Sequence, residues 1–211
     1  MECTSSSSSF NAIVKKKQVK QVKQVKQQNM GLLTVIKKQK MKDKELRSLV
    51  LGLDNSGKST VVDWLLERGE KRSRITPTVG FRIHTIEYAG HNVQLWDIGG
   101  QRTLRPFWDN YFDKTDVLLW VIDVTARSRF SESFAELEKL LQDRDRLGYR
   151  CKMIVLLNKM DLIDEDESVT DDVRRAVIER FSLVNTPVVV VPCSGLTGFG
   201  LGKLLEVVVS E

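Results

Sequence analysis

No stretch of the 211 residues approaches the roughly 18 to 20 consecutive apolar residues that a helix needs to cross a bilayer. Cysteine is scarce. Cys3, Cys151 and Cys193 are too few and too scattered for a disulfide framework, and the last two border apolar runs, where small buried thiols are common. The N-terminus lacks the continuous apolar segment and small-residue cleavage site of a secretory signal, so a reducing cytosol is the expected compartment. Acidic residues are almost missing up to Lys42, where ten lysines and no arginine stand against Glu2 alone. The net charge of +5 therefore divides into +9 for that arm and −4 for the remainder. A mildly acidic body argues against nucleic acid as the partner of the body itself.

What is present fits a soluble globular protein. Apolar residues make up 41% and charged residues 29%, and the length allows one domain with a sizeable core, or one domain plus a tail. Residues 1–29 hold a serine run, Ser5–Ser9, and a thrice-repeated Lys-Gln-Val between Lys17 and Val25. A period of three matches neither helix nor strand, and three valines bury too little to offset ordering, so a disordered extension is expected. Such an arm could instead bind acidic surfaces or act as a weak mitochondrial address, and the native chain could begin at Met30. Over 30–45, Leu32, Leu33 and Ile36 followed by lysines read as a short amphipathic helix, packed on its own domain or docked on a membrane or partner.

From 46 to 211 the pattern alternates. Leu46–Leu53, Phe81–Tyr88, Val93–Asp97, Val117–Asp123, Met153–Leu157 and Val188–Val191 read as strands, with a turn at Ala89-Gly90-His91-Asn92. Thr60–Glu67, Ser131–Leu147, Asp171–Phe181 and Leu201–Val209 read as helices, the second carrying the stripe Phe130, Phe134, Leu137, Leu141 and a capping box at Ser133/Glu136. The class is α/β, a mostly parallel sheet covered on both faces, with ligands bound beyond the carboxyl ends of the strands.

Three motifs carry the chemistry. Gly52-Leu53-Asp54-Asn55-Ser56-Gly57-Lys58-Ser59 is a full match to the phosphate-binding loop G-x-x-x-x-G-K-[ST], and it has a strand before it and a helix, opening near Thr60, after it. Its glycines let several amide N–H groups face one anion, and the helix adds its positive end. Lys58 would reach the β- and γ-phosphates and Ser59 would ligate magnesium. The second motif is Trp96-Asp97-Ile98-Gly99-Gly100-Gln101. Here Asp97 would hold magnesium through water, Gly100 would offer its amide to the γ-phosphate, and Gln101 would orient the attacking water. The third, Asn158-Lys159-Met160-Asp161, would read the base. A carboxylate at Asp161 can accept from N1 and N2 of guanine, a donor pair adenine lacks, while Asn158 braces the loop and the Lys159 stem lies along the base. Cys193-Ser194-Gly195 is a weaker signal for a backbone donor to the guanine carbonyl. Thr78, within Thr76-Pro77-Thr78-Val79-Gly80, is the candidate switch threonine, whose hydroxyl would complete the magnesium shell and be released on hydrolysis.

Together these motifs resemble the Ras-like GTPases. The loop sequence, Pro77-Thr78-Val79-Gly80-Phe81, Trp96-Asp97-Ile98-Gly99-Gly100-Gln101 and Asn158-Lys159-Met160-Asp161 look like the ADP-ribosylation-factor-like branch, from about Met30 to the C-terminus. Met30-Gly31-Leu32-Leu33-Thr34 and Arg102–Phe112 look like its Arf-like two subgroup. The resemblance implies a six-stranded sheet, binding of GTP and GDP with magnesium, and a monomer when free. It also implies that Phe81, Trp96 and Tyr111 face effectors. It further implies tubulin-binding cofactors, with tubulin itself, as partners, one cofactor acting as activator, and a place in tubulin folding and microtubule maintenance in the cytoplasm. A lipid at Gly31 is not expected, because Val35 stands where M-G-x-x-x-[ST] needs a hydroxyl. Arg74 reads as a surface charge rather than a built-in arginine finger, so unaided hydrolysis should be slow. The 18 residues between Ser59 and Thr78 leave no space for the helical insertion of a heterotrimeric α subunit. Gln101 favours an enzyme over the alternative, a non-catalytic module that holds GTP and docks a partner.

Overall fold

Parallel strands buried on both faces are written as unbroken apolar runs, and two such runs lie at the centre of one six-stranded sheet. The computed structural model describes residues 44–67, 77–142, 151–163, 167–181 and 188–210. The extension at 1–29, the amphipathic helix at 30–45 and Arg74 lie outside the described residues, save Lys44 and Glu45. The strands are β1 (Glu45–Leu51), β2 (Phe81–Tyr88), β3 (His91–Ile98), β4 (Val117–Asp123), β5 (Lys152–Asn158) and β6 (Val188–Pro192). The helices are α1 (Lys58–Glu67), α2 (Phe130–Gln142), α3 (Glu167–Phe181) and α4 (Leu201–Val209). The spatial order is β2-β3-β1-β4-β5-β6, and among the described residues only the β2–β3 pair is antiparallel. With β1 flanked by β3 on one side and β4 on the other, the loop leaving β1 opens at the topological switch point, where α/β sheets bind ligands.

The pleat of β4 divides the core. Leu118, Trp120 and Ile122 face a layer with Phe134, Leu137 and Leu141 of α2 and Val173 and Val177 of α3. Val117, Leu119 and Val121 face the other layer, with Val61, Val62 and Leu65 of α1 and Leu201, Leu204 and Val208 of α4. The expected architecture of a mostly parallel sheet with helices on both faces is the one observed.

Several boundaries differ from the sequence reading for local reasons. β1 ends at Leu51, because Gly52 already belongs to the loop. The β2–β3 turn has two residues, Ala89 and Gly90, both left-handed at φ 49° and 73°, and this tight reversal lets β3 begin at His91. The capping box at Ser133/Glu136 is not one, since α2 starts at Phe130 and both residues lie inside it. Ser133 Oγ instead accepts from the Trp120 indole at 3.1 Å, and Glu136 pairs with Arg105 at 3.3 Å.

A 3-10 segment at Arg105–Tyr111, absent from the sequence reading, is fixed by Trp108. That ring is fully buried, donates from Nε1 to the Gly99 carbonyl at 3.0 Å and packs edge-on against Trp120 at 5.7 Å. Trp108→Ala is expected to cost about 3–5 kcal/mol of stability, read from chemical denaturation. A change below 1 kcal/mol would mean that the surroundings collapse into the space.

Candidate functional site

Four strand ends meet at the carboxyl edge of the sheet, and each delivers one of the motifs. β1 delivers the loop Gly52–Lys58, β3 delivers Asp97, β5 delivers Asn158 and β6 delivers Cys193 and Ser194. The loop curls tightly enough that a Cβ on Gly57 would come within 2.2 Å of Asn158 Nδ2, so only glycine fits there. Leu53 and Ser56 are buried and Asn55 is exposed in a left-handed conformation, φ 61°. The loop passes into α1 through Val61 N–H bonding the Gly57 carbonyl at 3.0 Å, with Thr60 in the first turn.

Lys58 lies under the loop, only 5% exposed, donating to the carbonyls of Gly52 at 2.9 Å and Leu53 at 2.7 Å. Burial pulls its ammonium down to about 8, against the opposing pull of Asp97 and Asp54. Two of its three donors are engaged by these carbonyls, and the third can serve an anion held by the loop amides.

Ser59, Thr78 and Asp97 converge although they come from three different segments. Ser59 Oγ donates to Asp97 Oδ2 at 2.6 Å and lies 2.8 Å from Thr78 Oγ1, which is itself 3.2 Å from the same carboxylate oxygen. Asp97 is 1% exposed, and its Oδ1 is buried with no hydrogen-bond partner among the described residues. Two hydroxyls and one carboxylate, one of whose oxygens is orphaned, suit a hard cation that keeps several waters, so the residues present fit magnesium. No group of three His, Cys, Asp or Glu side chains suited to a metal occurs among the described residues, which keeps this hydroxyl-rich set distinct from an all-protein cage.

Gly100 presses directly on the phosphate loop. Asp54 N–H bonds its carbonyl at 3.1 Å, and a Cβ on Gly100 would stand 2.4 Å from the Gly52 carbonyl oxygen. Gln101, half-buried, follows at once. Asn158 braces two loops, donating from Nδ2 to the Ser56 carbonyl at 2.8 Å and accepting at Oδ1 from Gly195 N–H at 2.9 Å. Asp161 is held by the Ser194 hydroxyl, which also takes the amides of Leu196 and Thr197. The Ser194 amide donates to the Phe199 carbonyl at 3.0 Å, so the bonds made by Ser194 and Gly195 here brace the loop rather than offer a donor outward. Cys193 is buried beside Asn158, and burial pushes its thiol up to about 12, which leaves it inert.

Three partners of the site escaped the sequence reading, Asp123, Arg129 and Arg105. Lys159, left-handed at φ 70°, pairs with Asp123 at 2.6 Å, and Asp123 is in turn bonded by Thr125. Its stem passes the phosphate loop, since a Cβ on Gly57 would be 3.9 Å from Lys159 Cε. Arg129 donates to the Asp54 carbonyl and carboxylate, both at 2.8 Å. Burial raises the Asp54 carboxyl, but the Arg129 bond, the charges of Arg129 and Arg105 and a backbone bond together hold the group below its ordinary value. Arg105, 8% exposed, joins the Gly100 carbonyl at 3.1 Å, Asp54 at 3.3 Å, and Glu132 and Glu136 of α2 at 2.9 and 3.3 Å. These arginines turn the one carboxylate of the phosphate loop toward α2.

The expected aromatic trio forms. Phe81 and Trp96 stack at 6.2 Å, Tyr111 completes the cluster at 5.4 and 6.4 Å, and Arg47 covers the Trp96 ring at 3.7 Å. Phe81 remains 48% exposed, and Val79 and Phe107 are exposed on the same two segments that flank the site.

The sequence profile of the ADP-ribosylation factor family matches residues 32–211. The chain belongs to that family. It is 41% identical over 182 residues to ADP-ribosylation factor-like protein 2 of Dictyostelium discoideum, covering 86% of this chain and 95% of that one. It is 42% identical over 177 residues to ADP-ribosylation factor-like protein 3 of Chlamydomonas reinhardtii, covering 84% and 96%. In fold it is similar to the Arl6 small GTPase of Trypanosoma brucei, solved with the nucleotide analogue GppNp, at a TM-score of 0.65 and 24% identity over 78% of this chain and 95% of that one. As an Arf-family protein the chain is a small GTPase, a guanine-nucleotide switch that hydrolyses GTP.

Proposed function

We propose that this GTPase acts in the cytoplasm as a switch in tubulin folding and microtubule maintenance, with a tubulin-binding cofactor as its activator. The observation that carries the nucleotide reading is the contact of Thr78, before β2, and Gly100, after β3, with the phosphate loop itself. Both segments thereby answer to what the loop holds, and both adjoin the half-exposed trio of Phe81, Trp96 and Tyr111 where a partner would sense the change. The tubulin placement rests on resemblance to the Arf-like two subgroup, whose designation the Dictyostelium relative carries.

In this reading Lys58 and the loop amides hold the β- and γ-phosphates, and Gln101 orients a water for in-line attack on the γ-phosphorus. The bond to the β–γ bridging oxygen breaks, GDP departs with that oxygen, and inorganic phosphate carries the attacking one. Magnesium bound at Ser59, Thr78 and Asp97 would supply charge against the phosphate oxygens. Asp161 reads the guanine edge, while Asn158 and Asp123 keep Lys159 and the base loop in place.

Single-turnover hydrolysis of GTP, alone and with a tubulin-cofactor preparation, tests the proposal. The activator is expected to accelerate turnover by about 10³-fold or more, and Gln101→Leu to abolish that gain while still binding fluorescent GTP. Tight binding without stimulation would overturn the tubulin placement. Stimulation retained in the leucine variant would remove Gln101 from the mechanism.

A further inference from the structure

Asp97 faces a second cation donor across the sheet. Arg82 of β2 is its direct cross-strand partner on β3, so the pleat sends both side chains to one face. The Arg82 guanidinium donates to Thr78 Oγ1 at 3.0 Å and lies 3.6 Å from Asp97 Oδ2. These are two of the oxygens that the magnesium reading assigns to the metal, and Asp97 Oδ2 is also the atom bonded by Ser59. The two partners differ sharply in freedom, since the Asp97 side chain is 1% exposed and that of Arg82 41%. Asp97 cannot leave, whereas Arg82 stands on an edge strand with a long flexible stem and open solvent beside it.

We infer that Arg82 is a tethered counter-ion that competes with magnesium for Thr78 and Asp97. The inference rests on reading the Ser59–Thr78–Asp97 cluster as the metal site.

A nearly buried carboxylate is costly without a positive partner. A guanidinium 3.6 Å away meets that need without a metal, and by donating to Thr78 it also keeps the switch threonine drawn over the site. Entry of a divalent ion reverses the balance. The Thr78 lone pair that accepts from Arg82 is wanted by the metal, and two cations on neighbouring oxygens repel. Arg82 then swings to solvent, which its exposure permits. Lys58 also attracts Asp97, but two of its three donors are held by the carbonyls of Gly52 and Leu53, and it is Arg82 that donates to Thr78. The consequence is a switch whose retention of GTP depends less strongly on magnesium than the donor set alone would give. Metal binds against a resident competitor, and metal loss leaves Asp97 and Thr78 still partnered.

The test is release of the fluorescent, non-hydrolysable GTP analogue methylanthraniloyl-GppNp from the full chain at buffered free magnesium, for wild type, Arg82→Met and Arg82→Lys. Methionine keeps the stem and removes the charge. Lysine keeps the charge and loses the fork that spans two acceptors. Arg82→Met is expected to move the magnesium midpoint to about tenfold lower concentration, a modest factor because the arginine is partly solvated. In excess chelator the same variant should release the analogue several-fold faster than wild type, with Arg82→Lys between the two. A magnesium-dependent rate with identical midpoints in all three proteins would overturn the inference alone. A wild-type rate indifferent to magnesium would overturn the metal-site reading and the inference with it.

Discussion

Asp161→Asn is expected to weaken GDP and GTP binding by about 10²–10⁴-fold and to let xanthine nucleotides compete. Two charge-assisted hydrogen bonds from guanine to one carboxylate are worth about 1.5–3 kcal/mol each, and their loss spans that range of affinity. The geometry sharpens the expectation. Ser194 donates to Oδ1 of Asp161, which fixes the orientation of the side chain at the edge of the base loop. An asparagine can keep that bond through its carbonyl oxygen, and its amide N–H groups then point where guanine also presents donors. Xanthine carries a carbonyl in place of the exocyclic amine, so the same amide finds an acceptor. Competition of GDP and XDP against fluorescent GDP measures both effects at once. An unchanged preference for GDP in the variant would sink the assignment of Asp161 as the base reader. The substitution should barely alter the fold, because Asp161 is exposed and its loop stays braced by Asn158.

The fold was legible where burial writes itself into the chain. β4 and β5 are apolar on both faces, so their runs needed no periodicity to be recognised, and Val117–Asp123 was read to the residue. β2 keeps the bounds read from the sequence, although its burial alternates against its polarity at first, with Phe81 and Ile83 on the exposed side. The nucleotide motifs were legible because backbone geometry dictates their residues. Gly57 and Gly100 are places where a Cβ has no room, and such positions leave a mark in any sequence.

Long-range ionic pairing leaves no such mark. Arg129 and Asp54 are 75 positions apart, Arg105 and Asp54 are 51 apart, and nothing in either neighbourhood announces the other. Arg82 and Asp97 meet only once the two-residue turn at Ala89-Gly90 has set the register, and the four-residue turn first expected would have placed Arg82 against a different partner. Ser133 and Glu136 show the opposite error. Their spacing is that of a capping box, but the same spacing puts two polar side chains on one face inside a helix, where Trp120 and Arg105 use them. The Arg105–Tyr111 segment was missed because a short 3-10 stretch has no period of its own, and it is Trp108 reaching the core that holds it.

Lys58→Met is expected to reduce affinity for guanine nucleotides by about 10³-fold, with a larger loss for GTP than for GDP. Methionine matches the lysine stem in size, so the wall of the site survives and the change is confined to the charge. What is lost is a nearly buried cation beneath an anion-binding loop, where opposite charges are poorly screened. Interactions of that kind cost about 3–5 kcal/mol when one partner is removed, which brackets the stated factor. The triphosphate suffers more because the lysine serves both the β- and γ-phosphates. Stability without nucleotide should move less. The substitution removes the cost of burying an ammonium that the site already pulls down to about 8, but it takes a donor from the Gly52 carbonyl and leaves that of Leu53 with the Ser56 amide alone. These two effects oppose one another. Thermal unfolding with and without GDP separates them, since a ligand stabilises the folded state in proportion to the logarithm of its concentration over its dissociation constant. Wild type should gain several degrees at millimolar GDP where the variant gains little, from similar starting points. An equal GDP-induced shift in both proteins would show that Lys58 braces the loop without binding phosphate.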